Sequence, residues 1–229
     1  MFGNDQSGLI RSRIVQLASP EKTALDLGCA IGRWLPVLSS SFRKVYAVDI
    51  AKKYIEMAKE NHQHLGNIEF IRADITGKKS KLPVADLAIC INAILTSSLK
   101  KRTVFFKVLA DSVKKGGDMI LVVPSLESIL YSEFIGKKWK LDRGRPSASF
   151  KAAKASKKYQ ALIQGLYEID NVPTKHYLRE ELIVLLTKEG FEVTEIQKVQ
   201  YTWKTEFHGL VGTNLQYDQL LAHPTITGK

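Results

Sequence analysis

Three short segments of this 229-residue chain combine residue types and spacings that could do chemistry. The first is Leu25-Asp26-Leu27-Gly28-Cys29-Ala30-Ile31-Gly32-Arg33-Trp34. Gly28 and Gly32 carry no Cβ, so a ligand can approach the backbone, and a helix N-terminus just beyond offers N–H donors. The second is Val45-Tyr46-Ala47-Val48-Asp49-Ile50, whose acid stands 21 residues after Gly28. A carboxylate at the end of a second strand can accept hydrogen bonds from both hydroxyls of a ribose. The third is Ile71-Arg72-Ala73-Asp74-Ile75, whose acid can accept from an exocyclic amine such as that of adenine. Taken singly, the glycines could make only a tight turn and each acid could cap a helix. On successive segments they point together to one nucleoside-bearing ligand. The G-x-x-x-G spacing is not the G-x-G-x-x-G that a dinucleotide pyrophosphate needs, which disfavours NAD and FAD.

Those segments need elements to hold them. Thr23 to Gly28, Val45 to Asp49, Ile68 to Arg72, Val84 to Ile91 and Asp118 to Val123 are short apolar runs that suit strands covered on both faces. Helical stripes lie between them: Ala51, Tyr54, Ile55, Ala58 and Leu65 after the second run, and Leu99, Phe105, Leu109 and Val113 after the fourth, closed by Gly116-Gly117. A helix around Leu9 to Leu17 precedes the first strand. Strand and helix in alternation predict a doubly wound α/β sheet with helices on both faces, in which ligands bind at the carboxyl ends of the strands.

After Pro124 the rhythm breaks. Residues 125 to 175 read as a basic helical insertion, or lid, inside a single domain of residues 1 to 229. The rhythm resumes with Leu178, Leu182, Leu185 and Leu186 on a helix ended by Gly190, a strand from Phe191 to about Val199, and an apolar segment at Leu215 to Ala222.

Composition narrows the function classes. With 45% apolar and 25% charged residues the chain can build a core, and no apolar run is long enough for a membrane helix. The opening MFGNDQSGLIRSR holds no apolar stretch, so no secretory signal is expected. Cys29 and Cys90 read as free thiols of a reducing compartment, which makes a cytoplasmic location the expectation. The net charge is +11, and residues 137 to 158 hold nine basic residues against Asp142 alone. The excess is therefore local, which argues against a chain built throughout for nucleic acid. His62 and His64 close a helix and read as exposed; an H-x-H pair with no further ligands is a weak metal signal, so no metal is expected.

LDLGCAIGRW, VYAVDI, IEFIRADI and LPVADLAICINAIL, in that order, resemble the class I S-adenosylmethionine-dependent methyltransferases over about residues 20 to 124 and again over 176 to 222. The resemblance implies a seven-stranded, mostly parallel sheet whose antiparallel last strand is Leu215 to Ala222, with S-adenosylmethionine as cofactor. It implies that Asp26 and the turn Gly28, Cys29, Ala30 and Gly32 cradle the methionine part. Asp49 and Ile50 would hold the ribose side, Asp74 and Ile75 the adenine, and Asn92 with Ala93 would flank the sulfonium. Ala30 stands where the family's first motif usually has its middle glycine.

The acceptor is narrowed by exclusion. Ile91-Asn92-Ala93-Ile94 lacks the Asn-Pro-Pro-Tyr type run of enzymes that methylate adenine or glutamine amines. Neither cysteine is placed as a cytosine-attacking nucleophile, and the paired glutamates of protein arginine methyltransferases are missing. A small-molecule acceptor is the favoured reading. An RNA acceptor held by Lys151, Lys154, Lys157 and Lys158 with Tyr159 is the second, and a non-catalytic cofactor-binding regulator the third. The insertion and the loop from Tyr201 to Asn214 both leave the carboxyl ends of strands. Tyr131, Trp139 and Trp203 are therefore expected to wall the acceptor pocket, with His208 or His176 as the base where the acceptor has a proton to lose.

Overall fold

A computed structural model describes residue 5 and residues 7–77, 81–131, 159–169, 171–202 and 216–226. The chain runs α1 (Leu9–Leu17), β1 (Ser19–Leu27), α2 (Leu35–Ser41), β2 (Phe42–Asp49), α3 (Lys52–Asn61), β3 (Ile68–Arg72), β4 (Ala85–Ile91), α4 (Leu99–Asp111) and β5 (Val113–Pro124). It continues with β6 (Leu166–Ile169), β7 (Val172–Lys175), α5 (Arg179–Lys188), β8 (Phe191–Thr202) and β9 (Gln216–Ile226).

The main sheet has the order β3-β2-β1-β4-β5-β9-β8. Strands β1 to β5 pair in parallel, and β9 lies antiparallel between β5 and β8. The chain leaves β1 toward β2 and β3 on one side, then returns to β4 and β5 on the other. The order therefore reverses between β1 and β4, and a crevice opens at their carboxyl ends.

Both faces of this sheet are covered, as its apolar strands require. In β4 successive side chains alternate sides. Ala88 and Cys90 pack with Phe105, Phe106, Leu182 and Leu186 on one face. Leu87 and Ile89 pack with Ile10, Ile14, Leu35 and Leu38 on the other. Period-2 alternation with both sets buried is why the strand reads as an unbroken apolar run.

Two expectations for elements are corrected. Gly116-Gly117 do not end the helix before β5. Helix α4 stops at Asp111, with Ser112 as its cap and the Ser112 hydroxyl donating to the Val108 carbonyl at 2.6 Å. Both glycines and Val113 belong to β5, where the register against β4 jumps from Ala85↔Val113 to Leu87↔Asp118. The glycines sit in that bulge, which packs against the Asp86 carbonyl. The insertion, expected to be helical, also contains a β-hairpin. Strands β6 and β7 pair antiparallel up to Ile169↔Val172, and Asn171 has φ 62°. An Asp-Asn pair between apolar runs is the hairpin signal that the helical reading passed over.

Among the described residues, no helix is long and apolar enough to cross a membrane.

Candidate active site

Strand β1 ends at Leu27, and its polypeptide turns at Gly28 with φ 80°. The N–H groups of Gly28 and Cys29 both donate to the Val48 carbonyl, at 2.8 and 3.0 Å, which pins the turn to β2. A Cβ at Gly28 would stand 2.4 Å from the Ala93 Cβ. Glycine is therefore needed twice over, for the left-handed backbone and for contact with the chain leaving β4.

Ala30 also has a positive φ, 46°. That explains why glycine is usual here; alanine in this region costs about 1 kcal/mol. The turn is held nonetheless, because the Ala30 N–H donates to Asp49 Oδ2 at 2.9 Å. Gly32, at φ 85°, meets a different neighbour: a Cβ there would lie 2.6 Å from His62 Cδ2 and 2.7 Å from Leu35 Cδ1. His62, expected at an exposed helix end, instead packs its ring against the turn, and its Nδ1 is buried without a hydrogen-bond partner.

Asp49 closes β2 and is 7% exposed. Its Oδ1 accepts the Ala51 N–H at 2.8 Å, so the carboxylate ties two backbone segments at once. Two backbone bonds leave a carboxylate with further acceptor capacity. Beyond β3, Asp74 Oδ1 accepts both the Thr76 N–H (2.9 Å) and the Thr76 hydroxyl (2.7 Å). These bonds hold its carboxyl below the ordinary value, so it stays an acceptor. After β4, Asn92 adopts φ 53° and its N–H donates to the Val122 carbonyl at 2.9 Å.

These strand ends line one cleft of about 390 Å³. Of the expected cofactor residues, Gly28, Ala30, Asp49, Ile50, Asp74, Ile75 and Asn92 line it. Asp26, Cys29 and Gly32 are not in its lining: Asp26 and Cys29 are buried, and Gly32 is packed under His62. Asp26 is 2% exposed, and burial first, then the Asp49 charge, push its carboxyl up to about 7. Tyr54, Thr76, Thr96, Lys101 and Phe105 also line the cleft and were not foreseen. Tyr54 and Phe105 fall on helical stripes whose spacing predicts core positions. Thr96 and Lys101 carried no signal, since only the way α4 folds back beside β4 brings them to the cleft.

The acceptor-side expectations fare differently. His176 is fully buried and does not line the cleft. Its Nδ1 lies 3.1 Å from the Thr174 carbonyl and its ring meets Tyr167 edge-on. Burial, chiefly, lowers its pKa to about 4. An enclosed ring that resists protonation is a packing residue of the returning chain, which corrects its assignment as a base. Tyr131 is 56% exposed and stands outside the cleft wall. Trp139, Trp203, His208 and the four lysines at 151, 154, 157 and 158 lie outside the described residues.

The segment returning from the insertion docks on the strand ends. Lys175 N–H donates to the Leu95 carbonyl, Tyr177 N–H to the Pro124 carbonyl, both at 2.9 Å, and the Tyr177 hydroxyl donates to the Ile94 carbonyl at 2.9 Å. Buried Lys175 is neutralised by Glu181 at 2.7 Å.

Residues 24–117 match the family model described as a methyltransferase domain. The match covers less than half of the chain and makes this segment similar to methyltransferase domains. A protein named as a probable cobalt-precorrin-6B C(15)-methyltransferase (decarboxylating) of Methanothermobacter thermautotrophicus is 28% identical over 124 residues, 52% of this chain and 62% of that protein. Phosphoethanolamine N-methyltransferase 1 of Caenorhabditis elegans is 35% identical over 66 residues, 29% of this chain and 14% of that protein. The matches thus span less than two thirds of these relatives. Among solved structures, the N-methyltransferase NodS of Bradyrhizobium japonicum WM9 with S-adenosylhomocysteine superposes with a TM-score of 0.62 at 13% identity, covering 99% of this chain and 91% of that one, which shows a shared fold.

The methyltransferase cofactor fits the residues present. The turn at Gly28 and Ala30 offers backbone without bulky side chains, Asp49 keeps acceptor capacity at the cleft wall, and Asp74 stays ionised beside Ile75.

Proposed function

We propose that this chain moves the methyl group of S-adenosylmethionine to a small-molecule acceptor. The observation that carries the reading is the convergence of Asp49, Asp74 and the Gly28–Ala30 turn on one cleft at the switch point of the sheet. When bound, the cofactor supplies an electrophilic methyl whose S–C bond breaks as the acceptor's lone pair forms the new bond. The chain's own work is binding, alignment and exclusion of water. In this reading Asp49 accepts from the ribose hydroxyls while its backbone bonds hold both walls. Asp74 accepts from the adenine amine, with Ile50 and Ile75 offering apolar surface to the ring. Asn92 faces the reacting end.

The acceptor side belongs to the same proposal. The two curated relatives are named for small-molecule acceptors, which supports that class here. The insertion of residues 125 to 175 would act as the lid, with Tyr131, Trp139 and Trp203 shaping the acceptor pocket. His208 would be the base for an acceptor that must lose a proton.

A thermal-shift and calorimetric panel with S-adenosylmethionine, S-adenosylhomocysteine and NAD tests the cofactor. A ligand of the native state raises its apparent stability by mass action. Stabilisation by the two adenosyl compounds and none by NAD is expected; the reverse, or no response to any, would overturn the reading. Transfer of a labelled methyl group to a small-molecule fraction rather than to RNA then separates the acceptor classes.

A further inference from the structure

Asp26 is used by none of the steps above, yet it is an unusual group. It sits in the middle of the sheet, paired in register with Ala47 of β2 and Ile89 of β4, neither of which offers a polar side chain. Its Oδ2 is buried with no hydrogen-bond partner. The ionisable groups in its field are Asp49 from β2, Cys90 from β4 and Cys29 from the turn. Asp49 is an acid, and burial pushes both thiols up, so they stay neutral. Among the described residues no cation acts on Asp26. Two carboxyl groups with no positive partner do not both stay ionised at low cost; one must hold a proton or meet a cation. Asp26 is the more enclosed and lacks the backbone donors that Asp49 has. The proton therefore belongs to Asp26.

The cleft wall is built from Asp26's own neighbours. Gly28 lies two residues along, and Asp49 faces both Asp26 and the cleft. A cation entering the cleft comes beside Asp49, whose charge acts on the buried Asp26 carboxyl group. Resting on the cofactor reading above, we infer that Asp26 is protonated in the cofactor-free protein and releases its proton to solvent as cationic S-adenosylmethionine binds. The O–H bond of Asp26 breaks, water or buffer takes the proton, and the new carboxylate charge is balanced by the cofactor's positive charge. Affinity for S-adenosylmethionine then falls with falling pH through the neutral range.

Calorimetry of S-adenosylmethionine binding to the full chain, in two buffers of different ionisation enthalpy, counts the protons. Release of close to one proton per cofactor at pH 6 and almost none at pH 8.5 is expected. Affinity should rise roughly tenfold from pH 6 to pH 8. In Asp26→Asn the release at pH 6 should vanish and the pH dependence should shrink to that of the cofactor's own α-amino group. Binding that is indifferent to buffer at pH 6, or equal release in Asp26→Asn, would overturn the inference while leaving the cofactor assignment intact. Absence of binding at every pH from 6 to 8.5 would overturn both. Should Asp26→Asn fail to fold, the proton count and affinity profile of the unaltered chain still decide.

Discussion

The backbone N–H of Ala30 donates to the Asp49 carboxylate at 2.9 Å, so the acid that closes β2 also sets the shape of the turn after β1. The two loops that flank the cleft are thus one mechanical unit. An acid with this second task cannot be removed without disturbing the turn. Asp49→Ala is expected to weaken S-adenosylhomocysteine binding by roughly tenfold or more and to cost about 1.5–3 kcal/mol of stability, because two N–H groups lose their partner. Calorimetry with urea unfolding checks both. Asp49→Asn, which keeps one carbonyl acceptor, should lose less stability than Asp49→Ala. Equal stability of Asp49→Ala and the unaltered chain would contradict the linkage.

Gly32 is constrained from the side away from the cleft. Gly32→Ala should destabilise by about 1–3 kcal/mol through backbone strain and collision with His62 and Leu35. In the His62→Ala background the same substitution should cost less, since one of the two obstacles is gone. A double-mutant cycle by urea denaturation reads the coupling. An identical cost in both backgrounds would assign the whole effect to φ.

The raised pKa of Asp26 makes stability depend on pH in a definite direction. Its carboxyl goes from 3.8 in the unfolded chain to about 7 in the fold. Between those values the native state binds more protons than the unfolded state, so the contribution of Asp26 falls as pH rises from about 4 to about 7 and is constant above. Asp26→Asn should therefore gain stability relative to the unaltered chain as pH rises across that window. Melting curves of both proteins at pH 5 and pH 8, without cofactor, measure it. A difference that stays flat, or runs the other way, would show that Asp26 is ionised throughout.

Tyr177 is fully buried and its hydroxyl holds the Ile94 carbonyl, a residue of the cleft wall. Tyr177→Phe leaves that carbonyl unpaired at a cost of about 1–2 kcal/mol. It should also weaken S-adenosylhomocysteine binding, because the chain leaving β4 loses its tie to the returning segment. A variant with unchanged unfolding midpoint and affinity would mean that the carbonyl finds another donor.

Local pattern was enough for much of this protein. Apolar runs at β1, β2, β4 and β5 announce buried strands because most residues in them lie under one of two covered faces, whereas the edge strand β3 is only partly covered. That Gly28, Asp49 and Asp74 line one cleft was legible because they fall at the ends of successive strands, where sequence spacing and spatial position coincide. Long-range packing decided the rest. Whether Gly116-Gly117 ends a helix or bulges a strand depends on the Asp86 backbone beside it. His62 is a wall of the turn, and His176 a sealed packing residue, only because distant segments close over them. Tyr54, Thr96, Lys101 and Phe105 enter the cleft through the docking of α3 and α4 on the sheet. The charge state of Asp26 is likewise a tertiary property: its neighbours from β2 and β4 remove water and supply no cation, and nothing in the residues beside it along the chain reveals that.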